Sequence, residues 1–114
     1  MIALVDYGAG NLTSVRKALT ALGADFIVPS TPEECQRARG VIVPGVGHFG
    51  ATARLNAPWR DAISHAAASG TPLFGICVGM QWLFEGSDEA PDTSGLGAIA
   101  GRITGLAGEA DQRL

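Results

Sequence analysis

Short apolar runs alternate along this chain with segments whose apolar residues recur every three or four positions, and this alternation constrains the fold more than any other feature. The runs predict buried strands and the periodic segments predict helices. A strand–helix–strand connection favours parallel pairing, because the helix returns the chain to the same end of the sheet. We therefore expect a three-layer, open, mostly parallel sheet with helices on both faces. The predicted strands are 1–5, 26–28, 41–43 and 72–76, with 99–103 as a candidate fifth.

Residue types at the ends of the helical segments support these boundaries. Asn11 precedes the first segment as a cap and Gly23 follows it as a stop. Thr31 is the predicted cap of a second helix, and Pro32 is the proline of its first turn. A third helix is predicted from about 58 to a stop at Gly70, and a fourth at 80–84, followed by a polar loop at 86–95.

The composition excludes several classes of protein. With 46% hydrophobic and 17% charged residues, the 114-residue chain is long enough for one domain at most and is not a disordered tail. A net charge of −3 and the lack of a basic stripe exclude a nucleic-acid partner. No apolar run is long enough to span a membrane, and the amino terminus lacks a basic signal-peptide region, so we expect a cytoplasmic protein with two free thiols.

The segment Gly-Ile-Cys-Val-Gly at 75–79 has the G-x-C-x-G pattern of a nucleophile elbow, between a predicted strand and a predicted helix. Flanking glycines permit a strained turn that exposes Cys77, and the unpaired N–H groups of the following helix favour its thiolate form. The backbone N–H of Val78 could donate to a developing oxyanion. The alternative is that Cys77 is a small buried hydrophobic residue, as most free cysteines are.

A second glycine-containing loop, Pro-Gly-Val-Gly at 44–47, follows the preceding predicted strand. Ligands bind at the carboxyl ends of strands in open α/β sheets, so the two loops face the same crevice if their strands are neighbours. On its own this sequence is typical of an ordinary tight turn. Together with the elbow it indicates an oxyanion hole.

Three motifs carry a resemblance to a known family: YGAGNL at 7–12, PGVGHFG at 44–50 and GICVGMQ at 75–81. They resemble the class I glutamine amidotransferases, and more narrowly the glutaminase subunit of imidazole glycerol phosphate synthase, an enzyme of histidine biosynthesis. The similarity extends from residue 1 to about residue 103. It implies a flavodoxin-like fold, in which residues 1–114 are the apparently truncated N-terminal portion of a single amidotransferase domain.

The resemblance also implies a chemistry, which is hydrolysis of glutamine through a cysteine thioester with no cofactor and no metal. Ammonia would pass to a (β/α)₈-barrel cyclase subunit, and Asn11 matches a position near that partner. The implied site residues are Cys77 as nucleophile; Gly45, Val46, Gly47 and Val78 in the oxyanion hole; and Gln81 and Glu89 in substrate binding. Gln81 has support from spacing, because it lies on the same helix face four residues after Cys77.

A thiol nucleophile also needs a base and a group that orients it, and the family carries these in a later H-x-E motif. No H-x-E occurs in these 114 residues, and we expect neither His48 nor His65 to substitute. The chain alone is therefore predicted to be inactive. Two alternatives stay open, namely a cysteine hydrolase of the DJ-1/PfpI type and a non-catalytic half-domain that only binds the cyclase.

Overall fold

The computed structural model describes residues 1–106, so positions 107–114 of the predicted domain lie outside the described residues. Its centre is a four-stranded parallel sheet with the order β2-β1-β3-β4. The four predicted strands are confirmed, although three are one or two residues shorter than predicted. The strands are β1 (Ile2–Leu4), β2 (Phe26–Ile27), β3 (Gly40–Val43) and β4 (Leu73–Gly75).

Helices cover both faces of this sheet, as predicted. They are α1 (Leu12–Ala21), α2 (Glu33–Arg37), α3 (Ala57–Ala68) and α4 (Val78–Trp82), with a 3₁₀ helix at Phe49–Arg54 that the sequence pattern did not predict. The fourth helix begins two residues earlier than expected, directly after Cys77. None of the helices within residues 1–106 combines the length and the apolar character needed to cross a membrane.

The strand register separates two apolar clusters, one on each face. Leu4 and Ile42 are paired neighbours and pack under Leu19 of α1. On the opposite face, residues from three strands pack with α2, α3, α4 and the 3₁₀ helix. This larger core consists of Ala3, Val5, Tyr7, Cys35, Ala38, Val41, Val43, Phe49, Leu55, Ile63, Trp82 and Leu83. Burial in it raises the pKa of the Cys35 thiol to about 11, with a smaller contribution from the neighbouring Glu34 carboxylate.

The helix ends agree with the sequence in part. Asn11 caps α1, because its Oδ1 accepts a hydrogen bond of 3.3 Å from the Ser14 N–H, and Gly23 follows with φ +69°. The predicted cap of α2 by Thr31 is wrong. Glu34 Oε1 instead accepts from the N–H groups of Ser30 and Thr31, at 2.8 and 3.1 Å. These bonds hold the turn that leads into α2, whose N-cap position, Pro32, makes no side-chain capping bond.

The predicted fifth strand does not join the main sheet. Two short strands, β5 (Gly86–Ser87) and β6 (Arg102–Ile103), form a separate parallel pair, so the polar loop predicted at 86–95 begins with a strand. The residues before β6 bond elsewhere: the N–H of Leu96 donates to the carbonyl of Trp82, the last residue of α4, and the N–H of Ile99 donates to that of Leu83, the residue after it. Because this segment wraps the end of α4, only two of its predicted residues pair as a strand.

Candidate functional site

Cys77 lies where β4 turns into α4, and it is the only non-glycine residue within residues 1–106 with a positive φ, at 57°. Its carbonyl accepts the N–H of Gln81 at 3.1 Å, which begins the first turn of α4. The side chain is exposed, so the alternative of a buried hydrophobic cysteine is wrong. The strand–turn–helix context predicted for a nucleophile elbow is therefore present.

The glycines flanking Cys77 are required by close approach of backbone segments. A Cβ on Gly79 would overlap the carbonyl group of Val43 at the end of β3. A Cβ on Gly75 would overlap the backbone of Met80. Side chains at either position would push α4 away from the sheet, and Cys77 would move with it.

The loop at 44–47 packs directly against the elbow, as predicted from the positions of the two strand ends. Gly45 is buried between the Tyr7 hydroxyl, the Val78 side chain and the backbone of Gly79, where no Cβ fits. The Tyr7 hydroxyl donates to the Pro44 carbonyl at 2.6 Å, and burial raises the pKa of Tyr7 to about 12. Tyr7 therefore anchors the start of the loop from the end of β1.

One expectation about the oxyanion hole differs from the structure. The N–H of Val78 does not point to open space, because it donates to the Gly45 carbonyl at 3.3 Å. In this arrangement the donor predicted for a negative oxygen is already occupied. The rest of the loop is open: Val46 is 54% exposed, and a Cβ on Gly47, which has φ +95°, would meet no atom within 4 Å.

Gln81 and Glu89 line the same cavity, which has a volume of about 180 Å³. Its other lining residues are Ser87, Ile103, Thr104 and Gly105. The two side chains come from different elements, α4 and the segment after β5. A carboxylate and a carboxamide on one cavity can bind the ammonium and amide groups of a small amino acid.

The Glu89 carboxylate also makes a contact that the sequence did not reveal. Its Oε1 accepts the backbone N–H of Phe49 at 2.7 Å, and the Glu89 N–H donates to Ser87 Oγ at 3.2 Å. The bond to Phe49 connects the cavity to the 3₁₀ helix that follows the loop at 44–47. No sequence signal identifies this contact, because the partners are 40 residues apart and one is a backbone group.

Two of the remaining polar candidates, His48 and Asn11, cap helices. His48 Nδ1 accepts the N–H of Gly50 at 3.0 Å and so caps the 3₁₀ helix, whereas His65 is exposed on α3. Asn11 is exposed and caps α1. Within residues 1–106 no group of three or more His, Cys, Asp or Glu side chains is arranged to hold a metal ion.

Comparisons with known proteins identify the family and the fold. The sequence model of the family "Glutamine amidotransferase class-I" matches residues 3–90, which include β2, β3, β4 and all of β1 except Ile2, together with Cys77 and Glu89. A crystal structure of a glutamine amidotransferase superimposes with a TM-score of 0.69 at 23% identity, over 87% of this chain and 53% of that one. This second likeness concerns the fold alone.

Two relatives named imidazole glycerol phosphate synthase subunit HisH are similar in sequence. The protein of Geobacillus thermodenitrificans is 47% identical over 110 residues, covering 95% of this chain and 52% of the relative. That of Thermococcus kodakarensis is 44% identical over 108 residues, covering 95% and 53%. The chain thus spans about half the length of these relatives. On the match to residues 3–90, the chain belongs to the class I glutamine amidotransferase family.

Proposed function

We propose that this chain is the N-terminal portion of the amidotransferase domain of a glutaminase subunit of imidazole glycerol phosphate synthase. In this proposal it supplies the nucleophile and the glutamine site. The observation that carries the proposal is the exposed Cys77 at φ 57°, between β4 and α4 and beside the loop at 44–47. The names of the relatives, at 44–47% identity, support the type of amidotransferase.

In the proposed reaction the Cys77 sulfur attacks the carbon of the glutamine side-chain amide. The C–N bond breaks, and the nitrogen leaves as ammonia after taking up the proton that the thiol has lost. Water then attacks the thioester, which releases glutamate and restores the thiol. The positive φ of Cys77 supports this role, because it lifts the side chain out of the packed sheet toward solvent.

The negative oxygen formed in each attack requires N–H donors, and we assign these to Val78 and to the backbone of Gly45, Val46 and Gly47. Because the Val78 N–H is bonded to the Gly45 carbonyl, this bond must break before the donor can serve an oxyanion. The bond is long, at 3.3 Å, and the adjoining Val46 is exposed, which supports a loop that can rearrange.

We assign glutamine recognition to the cavity between Gln81 and Glu89. One oxygen of the Glu89 carboxylate holds the Phe49 N–H, and the other is available for the α-ammonium group of the substrate. Gln81 lies one helical turn after the nucleophile, so a substrate that contacts it extends toward Cys77. Neither interaction requires a metal or a cofactor.

The base that activates the thiol is assigned to the part of the relatives that this chain does not match. No H-x-E motif occurs in these 114 residues, so we expect the isolated chain to release no ammonia from glutamine. In the complete enzyme the ammonia would pass to a (β/α)₈-barrel cyclase subunit, with Asn11 near that partner.

Affinity labelling tests the proposal. We expect diazo-oxo-norleucine, a glutamine analogue, to attach to Cys77, and excess glutamine to suppress this label. The Cys77→Ser variant should not be labelled, whereas the matched Cys35→Ser variant should be labelled like the parent chain. Intact and peptide mass spectrometry measure both the extent and the position of the label.

Other results would contradict the proposal. A label that glutamine does not suppress would favour a cysteine hydrolase of the DJ-1/PfpI type. Failure to label Cys77, together with capture of the purified cyclase subunit, would favour the non-catalytic half-domain. Cysteine-dependent ammonia release by the chain alone would show that the base lies within these residues.

A further inference from the structure

The segment that carries Glu89, residues 86–95, is a closed loop whose two ends meet. Gly86 and Ser94 form an isolated antiparallel bridge, and the Gly95 N–H donates to the Glu85 carbonyl at 2.9 Å. Inside the loop, two consecutive turns are closed by hydrogen bonds from Ala90 to Ser87 and from Thr93 to Ala90, at 3.2 and 3.0 Å. Glu89 lies inside the first of these turns, and the second turn ends at Thr93, directly before Ser94.

Arg60, on α3, holds the closing end of this loop from outside. Its Nη1 donates to the Ser94 carbonyl at 3.0 Å and its Nη2 donates to the Gly95 carbonyl at 2.7 Å. Hydrogen bonds from a charged donor are stronger than neutral ones, and a guanidinium fixes two acceptors in one plane. In the part of the chain that the structure describes, the one salt bridge is between Arg102 and Asp88, so carbonyl groups are the partners of Arg60.

The same guanidinium also contacts α4. Its Cζ lies 6.0 Å from the ring centroid of Trp82, within the range of a cation–π interaction. Trp82 directly follows Gln81, and its carbonyl accepts the N–H of Leu96 just beyond the loop. Arg60 thus touches both elements that carry the two cavity residues, although it does not line the cavity itself.

We propose that Arg60 is a positioning residue for the glutamine site. By fixing the carbonyls of Ser94 and Gly95 against α3 and Trp82, it holds the loop so that the Glu89 carboxylate stays on the Phe49 N–H and faces the cavity. This inference rests on the proposed function for the identity of the ligand. The mechanical part of the inference is that Arg60, by holding the loop, maintains the hydrogen bond between Glu89 and Phe49. This part does not depend on which ligand binds.

Amide hydrogen exchange tests the mechanical part without any ligand. In the Arg60→Met variant we expect the Phe49 amide to exchange about tenfold faster, because the Glu89 oxygen that accepts it is no longer held, and Glu89→Ala, which removes this oxygen, should show the same acceleration. The Leu55 amide is the internal control, since it donates to Thr52 in the same 3₁₀ helix and does not involve Glu89. Its exchange should be unchanged. Arg60→Lys, which keeps the charge and one donor direction, should restore part of the protection.

Equal exchange of Phe49 in the parent chain and in Arg60→Met would overturn the proposal. Parallel acceleration of Phe49 and Leu55 would also overturn it, because it would indicate general loosening of the fold. If Arg60→Met does not fold, the same comparisons decide on Arg60→Lys.

A second measurement tests the link to glutamine. The glutamine concentration that half-protects Cys77 from diazo-oxo-norleucine should rise several-fold in Arg60→Met, with the maximal labelling rate unchanged. Adding Arg60→Met to Glu89→Gln should raise it no further than Glu89→Gln alone does. An unchanged half-protecting concentration would overturn the glutamine link. If diazo-oxo-norleucine does not label the parent chain and glutamine does not bind to it, the proposed function fails. The exchange of the Phe49 amide still decides the role of Arg60.

Discussion

Cys77 adopts a backbone conformation, φ 57° and ψ −120°, that is rare for residues with a Cβ. Such strain costs about 1–3 kcal/mol and persists only where the surrounding structure enforces it. Here the enforcement comes from α4, which sits so close to β3 that Gly79 has no room for a Cβ. The strain belongs to the same turn that exposes the sulfur.

This strain predicts an unusual order of stabilities. Cys77→Gly is expected to be more stable than Cys77→Ala by about 1–3 kcal/mol, because glycine adopts positive φ without a Cβ clash. The exposed Cys77 side chain has little packing to lose in either variant. Urea unfolding of the two variants measures the difference, and equal free energies of unfolding would show that the turn is relaxed.

Two buried groups that lose a proton at high pH, the Cys35 thiol and the Tyr7 hydroxyl, determine how stability should depend on pH. The pKa of Cys35 is raised from 9.0 to about 11 and that of Tyr7 from 10.0 to about 12, in both cases mainly by burial. Between these values the unfolded chain has lost the proton and the folded chain still holds it, so the free energy of unfolding falls as the pH rises. The stabilisation is complete below pH 9 and is lost progressively toward pH 11 and 12.

Urea unfolding at pH 9 and pH 11 should show this fall. In Cys35→Ala the fall should be smaller, because one of the two groups is absent, and Tyr7→Phe should reduce the part of the fall above pH 10. A fall of the same size in the parent chain and in both variants would mean that other groups cause it.

The start of α2 shows how a sequence pattern can point to the wrong residue. Thr31 has the residue type of a cap, but Glu34 accepts the two N–H groups that precede the helix. A hydrogen bond within a protein contributes about 1 kcal/mol net. We therefore expect Glu34→Ala to lower the free energy of unfolding by about 1 kcal/mol, and Thr31→Ala and the control Glu33→Ala to lower it much less. Thermal or urea unfolding that ranks Thr31→Ala as the most harmful would show that the threonine hydroxyl is the cap after all.

The helices that could be predicted from the sequence are those that a single nearby residue, such as a cap or a glycine, begins or ends. Asn11 and Gly23 bound α1 for reasons that act within a few residues, and Gly70 follows α3 with φ +91°. The 3₁₀ helix at Phe49–Arg54 could not be predicted in this way. Its first N–H is held by Glu89, which lies 40 residues later, and local periodicity carries no information about such a contact.

Some contacts at the site follow from the order of the strands, and others depend on how the helices pack. The approach of Gly45 to Val78 follows from two neighbouring parallel strands, β3 and β4, ending at one edge, and the order of apolar runs predicts this. The contacts of Arg60 with Ser94 and Gly95 do not follow from any pattern. They depend on how α3 and the end of α4 pack, which only the structure defines.

The sheet also ends in an exposed apolar edge, which determines how the chain should behave in solution. In the described sheet β4 pairs only with β3, and Phe74 at its centre is 61% exposed beside the buried Ile42. Unpaired strand edges with apolar side chains template association. Sedimentation velocity at rising concentration should therefore show self-association of the chain, reduced in Phe74→Lys. Leu22→Lys is the matched control, because Leu22 is 81% exposed but lies at the end of α1. A monodisperse parent chain that melts cooperatively, or an equal effect of both substitutions, would show that the β4 edge does not drive association.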